Sequence, residues 1–304
     1  MQARYRRSRA DSEARKNPKE PKAGTVHSKK DHNAMPSLVG GPTASDHWRL
    51  LEQSYGSVFQ NLAIEEALAR SALSPTFRPT IRLWVNPQSV ILGRFQMAST
   101  EVDTSLCQQS GIQIARRFTG GGAVYQDEGN LNFTIVIQQG ERCTKLRLNE
   151  TASAIVLDTL RSFGLKGSFL APNSIMLGER KISGGAAASG KVFALWHGSL
   201  LVSTNVDILE SVLAPSRQKQ ATHYVRSRWL PVTTLEATLG RKVSVEEVQS
   251  KLKESAQEIL NAKLEADGLR ADEERLFTSL YTRKYSLPNW NSNGVYEEFE
   301  ESGD

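Results

Sequence analysis

Residues 115–133 read ARRFTGGGAVYQDEGNLNF. The stretch joins two adjacent cations, Arg116 and Arg117, to three consecutive glycines, Gly120, Gly121 and Gly122. A strand pattern follows, with Leu131, Phe133, Ile135 and Ile137 at period two. Glycine has no Cβ, so a ligand can approach the main chain closely and positive φ is accessible. Free backbone N–H groups in such a loop cradle an anion. Guanidinium groups beside it pair with phosphate or carboxylate through a two-pronged fork. That chemistry suits a substrate whose carboxylate becomes an acyl phosphate ester.

Working outward, Asn61 to Ala72 reads as a helix with Leu62, Ala63, Ala67 and Leu68 on its apolar stripe. Thr80 to Gly93 reads as a hairpin. Ile81, Leu83 and Val85 form one strand, Asn86-Pro87 the turn, and Val90 to Leu92 the other strand. A helical connection covers part of Val102 to Gly111, and a strand runs from Leu131 to Gln138. Glu150 to Phe163 repeats apolar residues at helical spacing. Ser174–Met176 and Lys191–Leu195 read as short strands around a hairpin, and Gly198–Ser203 continues the sheet. Ser244 and Glu247 form a capping-box pattern ahead of Val245, Val248, Leu252, Ala256, Ile259 and Leu260. Strands and helices mix without regular βαβ alternation, which predicts an α+β fold: a mixed, largely antiparallel sheet flanked by helices.

The 304 residues, 39% of them hydrophobic, are enough to bury one large core. The formal net charge of +5 invites a nucleic-acid reading, but its distribution argues against one. Residues 1–35 hold ten cations and four anions, which leaves 28 cations and 29 anions for the rest of the chain. The body is thus near neutral and the tail carries the basic balance. With almost no large apolar residues, residues 1–45 are expected to be a disordered basic tail. Met35, just ahead of the patterned sequence, is an alternative start. The acidic end, residues 292–304, is expected to fray. The tail lacks the apolar run of a signal peptide, and no stretch is apolar enough to span a membrane. Cys107 and Cys143 are the only cysteines and form no CxxC, so reduced thiols in a cytoplasmic protein are expected.

The string RRFTGGGAVYQDEGNLNFTI closely resembles the signature of lipoate–protein ligases, in the biotin/lipoate ligase superfamily. A second basic, glycine-containing segment, Gly178 to Ala188 (GERKISGGAAA), resembles the RKxSGxA string of the same ligases. LGRFQ, with Arg94, is similar to the family's GRxQ turn, and VRSRWLPVTTL, with Arg226 and Arg228, to its VRSRVxNL segment. Lys284-Tyr285 through Trp290-Asn291 resembles the terminal tryptophan segment of the catalytic domain. The similarity spans about Trp48 to Asn291, and so implies a biotin/lipoate ligase (class II synthetase-like) catalytic domain over residues 46–291.

The resemblance implies activation of lipoate by ATP and Mg²⁺ to lipoyl-AMP. The acyl group then passes to a lysine of a lipoyl domain, in a 2-oxoacid dehydrogenase E2 subunit or the glycine-cleavage H protein. Lys181 matches the lysine that touches both carboxylate and phosphate. It would neutralise two anions brought together and the charge that develops on the α-phosphate. Arg117, Gly122, Ala123, Val124 and Tyr125 would line the nucleotide and acyl pocket. Arg116, Gly120, Gly121, Arg94, Ser183, Gly184 and His197 complete the candidate substrate-binding set. No firm protein ligand to a metal is expected. The chain departs from the family in three ways. Gln126 stands where many members have His. Ser174, after Asn173, stands where ligases often have Asp. As a third departure, the residues after Asn291 are expected to form no additional C-terminal domain, which resembles the split arrangement with a separate small accessory subunit.

Competing readings make different demands. An octanoyltransferase or amidotransferase of the superfamily needs a cysteine as acyl carrier, and Ser168 sits at the matching place in GSFLAP. A lipoyltransferase would use preformed lipoyl-AMP. A biotin ligase would carry a different glycine–arginine loop. A nucleic-acid module would rest on the tail alone and leave both glycine–cation motifs without purpose.

Overall fold

The computed structural model describes residues 47–139, 145–213 and 224–296. The basic tail, Cys143 and residues 297–304 lie outside the described residues. In chain order the elements are β1 (His47–Leu51), α1 (Val58–Arg70), β2 (Thr80–Trp84), β3 (Ser89–Leu92), α2 (Ala98–Glu101), α3 (Thr104–Gln109), β4 (Gln113–Arg116), β5 (Val124–Gln126) and β6 (Asn130–Gln138). Then follow α4 (Lys145–Ser162), β7 (Ser168–Leu170), β8 (Ser174–Leu177), β9 (Arg180–Ser189), β10 (Phe193–Leu201), α5 (Val206–Val212), α6 (Leu235–Leu239) and α7 (Val245–Leu260). The chain closes with β11 (Lys263–Ala266), α8 (Ala271–Leu280), a π-helical turn at Tyr281–Tyr285, and α9 (Pro288–Asn293).

Eight strands form one sheet in the order β11-β1-β2-β6-β10-β9-β8-β7, and β4-β3-β5 form a second. The pairs β1–β11, β1–β2 and β3–β4 are parallel and all others antiparallel. This is the mixed, largely antiparallel α+β architecture that the sequence predicts.

The period-two residues Leu131, Phe133, Ile135 and Ile137 all face the main core, against Leu148, Ile155 and Leu160 of α4 and Val248, Leu252 and Ala256 of α7. Helix α7 starts where expected: the Ser244 hydroxyl accepts the Glu247 N–H. The other half of the capping box is not made, because the Glu247 carboxylate pairs with Arg241 instead. Ile259 points outward, 38% exposed.

Helix α1 packs its Ile64, Leu68 and Ala69 with Val136 of β6 and Leu195 of β10. It is buried on nearly every side, because the C-terminal helices cover its outer face.

Two expected pairings are corrected. β2 and β3 are not a hairpin: β2 lies between β1 and β6, and β3 belongs to the second sheet. The Asn86 side chain, which reads as a turn residue, is buried; it accepts from Asn61 and donates to Gln126 where the chain crosses between the sheets. Nor do residues 174–176 and 191–195 pair with each other. The segment RKISGGAAAS between them is itself a ten-residue strand, β9. Its glycines conceal it from propensity but are needed for packing: a Cβ at Gly185, or at Gly198 on β10, would run into the indole of Trp196.

Candidate functional site

A cleft of about 350 Å³ lies between the two sheets, walled by β3 and β5 on one side and by β6, β9 and β10 on the other. Strand β4 delivers Arg117 to it one residue beyond its end. The guanidinium is 94% buried and faces no carboxylate among the described residues. Its Nη2 donates to the carbonyls of Gly120 (2.7 Å) and Gly122 (2.8 Å), its Nε to Thr119 Oγ1 (3.0 Å) and its Nη1 to Ile91 O (3.2 Å). Burial alone pushes its pKa down to about 10. Arg117 therefore shapes the glycine loop from within while its charge remains uncompensated by any acid.

That loop needs glycine at two of its three positions. Gly121 has φ +96°, and a Cβ on it would sit 2.9 Å from Arg117 Nη2. A Cβ on Gly122 would press on Ser227 at 3.0 Å. The N–H groups of Gly121 and Gly122 donate to no described residue. With these two carbonyls turned onto Arg117 or the interior, amides and cation share one lining, an arrangement that favours an anion.

Lys181 arrives from the opposite sheet, at the start of β9. The strand is held there by Lys181 N–H to Pro231 O (2.8 Å) and by Thr233 N–H to Lys181 O (2.9 Å). Its amine has no hydrogen-bond or ion-pair partner among the described residues. Burial and the nearby charge of Arg117 both depress its pKa. Gly184 makes the room: a Cβ there would lie 2.5 Å from Lys181 Nζ and 2.6 Å from Cε. Asn173 donates its side-chain amide to Gly185 O, and Gly185 N–H returns a bond to Asn173 O at 3.0 Å.

A strap of residues 225–232 joins the two halves. Ser227 Oγ accepts Ala123 N–H and Gln96 Nε2, each at 2.9 Å. Its own N–H donates to Glu101 Oε2 (2.9 Å), and Arg226 pairs with Glu101 Oε1 (2.7 Å). Ser227, Gln96 and Glu101 are residues that sequence reasoning passed over. The faint signals were the central serine of VRSR and the glutamine of GRFQ, beside their more conspicuous arginines.

His197, on β10, lines the cleft and forms part of a buried chain. Its Nε2 lies 2.8 Å from Thr119 Oγ1 and its Nδ1 3.0 Å from Glu65 Oε2. Glu65, on α1, also accepts from Arg82 and Thr134. Burial raises the Glu65 pKa, but the His197 bond, the charge of Arg82 and the Thr134 bond outweigh it and hold it below the usual value. The chain thus fixes Thr119, which in turn orients Arg117.

Of the expected residues, Arg117, Gly121, Gly122, Ala123, Val124, Tyr125, Lys181, Ser183, Gly184 and His197 line this one cleft. Arg116, Gly120 and Arg94 are not part of its lining. Arg116 is buried on the other side of its strand, where it donates to the carbonyls of Gly93, Arg94, Gln96, Trp290 and Ser292. Successive strand residues point to opposite faces, so two adjacent arginines do not serve one site. Arg94 is exposed over Phe95. Gly120 contributes its carbonyl to Arg117.

No cysteine among the described residues lines the cleft. Cys107 is buried in α3 and burial raises its thiol pKa. Ser168 lies on the edge strand β7, outside the lining. Among the described residues no group of three or more His, Cys, Asp or Glu is placed to hold a metal, and no helix is long and apolar enough to cross a membrane.

Residues 57–257 match the model of the lipoyl protein ligase A/B catalytic domain. Lipoate-protein ligase A subunit 1 of Thermoplasma acidophilum is 34% identical over 252 residues, covering 80% of this chain and 95% of that protein. A solved bi-partite lipoate protein ligase, studied with its E2 lipoyl domain from Thermoplasma acidophilum, superposes with a TM-score of 0.74 at 32% identity, covering 83% of this chain and 98% of that one. A crystal structure of lipoate-protein ligase A bound with ATP gives 0.73 at 33% identity, covering 82% and 100%. Cation, bare amides and strap all lie within the matched residues 57–257, and the chain belongs to the lipoyl protein ligase A/B catalytic-domain family.

Proposed function

We propose that this chain is the catalytic subunit of an ATP-dependent lipoate–protein ligase. The observation that carries the reading is the amine of Lys181, on a half-buried residue and without a partner among the described residues, in one cleft with the unbonded amides of Gly121 and Gly122. Two anions brought together repel, and a fixed cation with preoriented N–H donors stabilises the charge that develops as they react. An oxygen of the lipoate carboxylate attacks the α-phosphorus of ATP, and pyrophosphate leaves. A neutral lysine amine of the acceptor then attacks the acyl carbon, AMP leaves, and the amine loses a proton. Lys181 stabilises both steps by charge, and the Gly121 and Gly122 amides hold phosphate oxygens.

Mg²⁺ bound with the triphosphate supplies further neutralisation of those oxygens. Of the two carboxylates that line the cleft, Glu101 is engaged by Arg226 and Ser227 and Glu210 stands alone among the described residues, so the phosphates themselves would hold the ion. The acceptor is a lipoyl domain of a 2-oxoacid dehydrogenase E2 subunit or the glycine-cleavage H protein. A separate small subunit assists adenylation, a reading supported by the subunit numbering of the Thermoplasma relative. A cytoplasmic setting belongs to the same reading.

The test is lipoate incorporation into a purified lipoyl domain, supplied either with ATP or with synthetic lipoyl-AMP, alongside pyrophosphate release. Lys181→Ala is expected to lose about a hundredfold or more in both assays with an unchanged melting temperature. Equal turnover by the variant would remove the basis of the reading. Transfer from lipoyl-AMP with no pyrophosphate release, partner present or absent, would leave a transferase only.

A further inference from the structure

The cleft contains a second polar feature, at the far side from Lys181, that the adenylation chemistry does not use. Four buried amide side chains run in series to its wall. Asn61 Nδ2 donates to Asn86 Oδ1 (2.9 Å), Asn86 Nδ2 to Gln126 Oε1 (2.7 Å), and Gln126 Nε2 to Asn132 Oδ1 (2.6 Å). The direction of this series is set at its origin. Asn61 Oδ1 accepts from Arg82 Nη2 (2.8 Å) and from the Tyr55 N–H (3.0 Å), and neither group can accept. Each amide is therefore forced to point its donor onward. Asn130 Nδ2 also donates to Asn132 Oδ1 (3.0 Å), while Asn130 Oδ1 is itself buried and without a partner among the described residues. Asn132 Nδ2 is left as the terminus, buried and without a partner, on a residue that lines the cleft.

Its place relative to Lys181 follows from strand register. Gly184 lies opposite Ser199, Ser199 opposite Asn132, and Asn132 opposite Trp84, and all four line the cleft. Gly184 is the residue against which the Lys181 amine rests. Two strand spacings separate Gly184 from Asn132, roughly 10 Å at about 4.8 Å each. That is the reach of a medium-length acyl chain lying across the strands, with its carboxylate at Lys181.

The geometry points to Asn132 as a specificity-determining donor for the remote end of the acyl substrate. The inference rests on the ligase reading and narrows its substrate: an acid bearing a hydrogen-bond acceptor at the chain end, such as the ring sulfurs of lipoate, is preferred to a plain alkyl acid. A buried donor left unpaired costs about 1–3 kcal/mol, and an alkyl terminus leaves it so. Sulfur is a weak acceptor, so the preference falls at the low end, about fivefold to tenfold.

The experiment measures binding of lipoate, octanoate and 8-hydroxyoctanoate to the full-length protein by calorimetry, with kcat/KM for each in pyrophosphate release. Lipoate and the hydroxy acid are expected to exceed octanoate by about fivefold or more. In Asn132→Leu the gap closes, because octanoate improves while the other two weaken. Octanoate binding as tightly as both others to the wild type overturns the assignment. So does an Asn132→Leu variant that shifts all three acids equally. The ligand comparison needs no variant, so it stands even where Asn132→Leu fails to fold. Failure of all three acids to bind, with or without ATP, would instead defeat the ligase reading.

Discussion

At the scale of single residues, the site depends on where side chains are missing as much as on where they are present. Gly184 leaves the space that Lys181 occupies, so Gly184→Ala pushes the amine off its position without touching the core. Displacement of a catalytic group by about 1 Å costs up to roughly a hundredfold. Gly184→Ala is therefore expected to lower kcat/KM for adenylation about tenfold to a hundredfold, with the melting temperature nearly unchanged. A parallel loss of stability would mean that the alanine disturbs the strand instead. Much of this arrangement was legible in the sequence, because a lysine beside Ser-Gly-Gly and an arginine beside three glycines are chemically conspicuous. The division of labour between Arg116 and Arg117 was not. It depends on which face of a strand each occupies, and strand β4 ends between them. Glu65 and Thr119 were also missed, since each acts only through His197 or Arg117 and neither stands out by type.

Among the elements, the strap of residues 225–232 is the one that holds the glycine loop and the Lys181 strand in register. Its hinge point is Ser227, which accepts two donors and reaches Glu101 through its N–H. Ser227→Ala leaves Ala123 N–H and Gln96 Nε2 without that acceptor. The expected result is a KM for ATP raised several-fold and a stability loss of about 1 kcal/mol. Denaturant unfolding and initial rates would measure both, and an unchanged KM would show that the strap does not set the loop. The sequence displayed the strap as VRSR but not what it binds, because its contacts lie about a hundred residues away. Long-range pairing likewise decided the two misread hairpins. Strands β2 and β3 are close in sequence, yet each finds its partners in a different sheet. Helix α1 shows the opposite case. Its apolar stripe was legible, and the adjacent acids in NLAIEEALAR, normally a mark of a solvated face, are both buried.

One of those acids sets a pH dependence. Glu66 accepts from Lys284 Nζ (2.7 Å) and Tyr285 Oη (2.6 Å) and pairs with Arg70 (2.7 Å). Burial raises its pKa, but the charges of Lys284 and Arg70 and the two hydrogen bonds outweigh this and leave it below the ordinary 4.5. With a lower pKa in the folded state, the unfolded chain takes up its proton first on acidification. The stabilisation is complete above about pH 4.5 and is lost as the pH falls through the folded value. Wild-type stability, followed by urea unfolding, is therefore expected to drop on going from about pH 6 to about pH 3.5. Glu66→Gln should be less stable at neutral pH and lose less over the same interval. Parallel curves for the two proteins would show that Glu66 does not contribute to acid sensitivity.

At the scale of the whole molecule, the two ends of the chain are predicted to differ in kind. The C-terminal segment is part of the fold. Trp290 is fully buried and donates its indole N–H to Arg116 O (2.8 Å), and Ser292 O receives Arg116 Nη2 (2.7 Å). Tyr296 packs edge-on against Trp290, so packing continues past the expected boundary at Asn291. Deleting residues 281–304 would leave Arg116 and Glu66 buried with several of their partners gone. Glu66 would keep Arg70 alone and Arg116 three carbonyls, and the core would lose Tyr285 and Trp290. A large buried aromatic is worth about 3–5 kcal/mol, so the two together approach the whole stability of a domain. That truncation is expected to abolish cooperative unfolding. The N-terminal tail, by contrast, holds a net charge of +6 and almost nothing apolar to bury. Deleting residues 1–45 is expected to leave the melting temperature within about 2 °C and kcat/KM within about twofold, since substitutions away from packed features seldom exceed about 0.5 kcal/mol. A fall in lipoylation rate on tail removal that disappears at high salt would instead assign the tail to recruitment of an anionic partner, because only an exposed electrostatic contact is screened in that way.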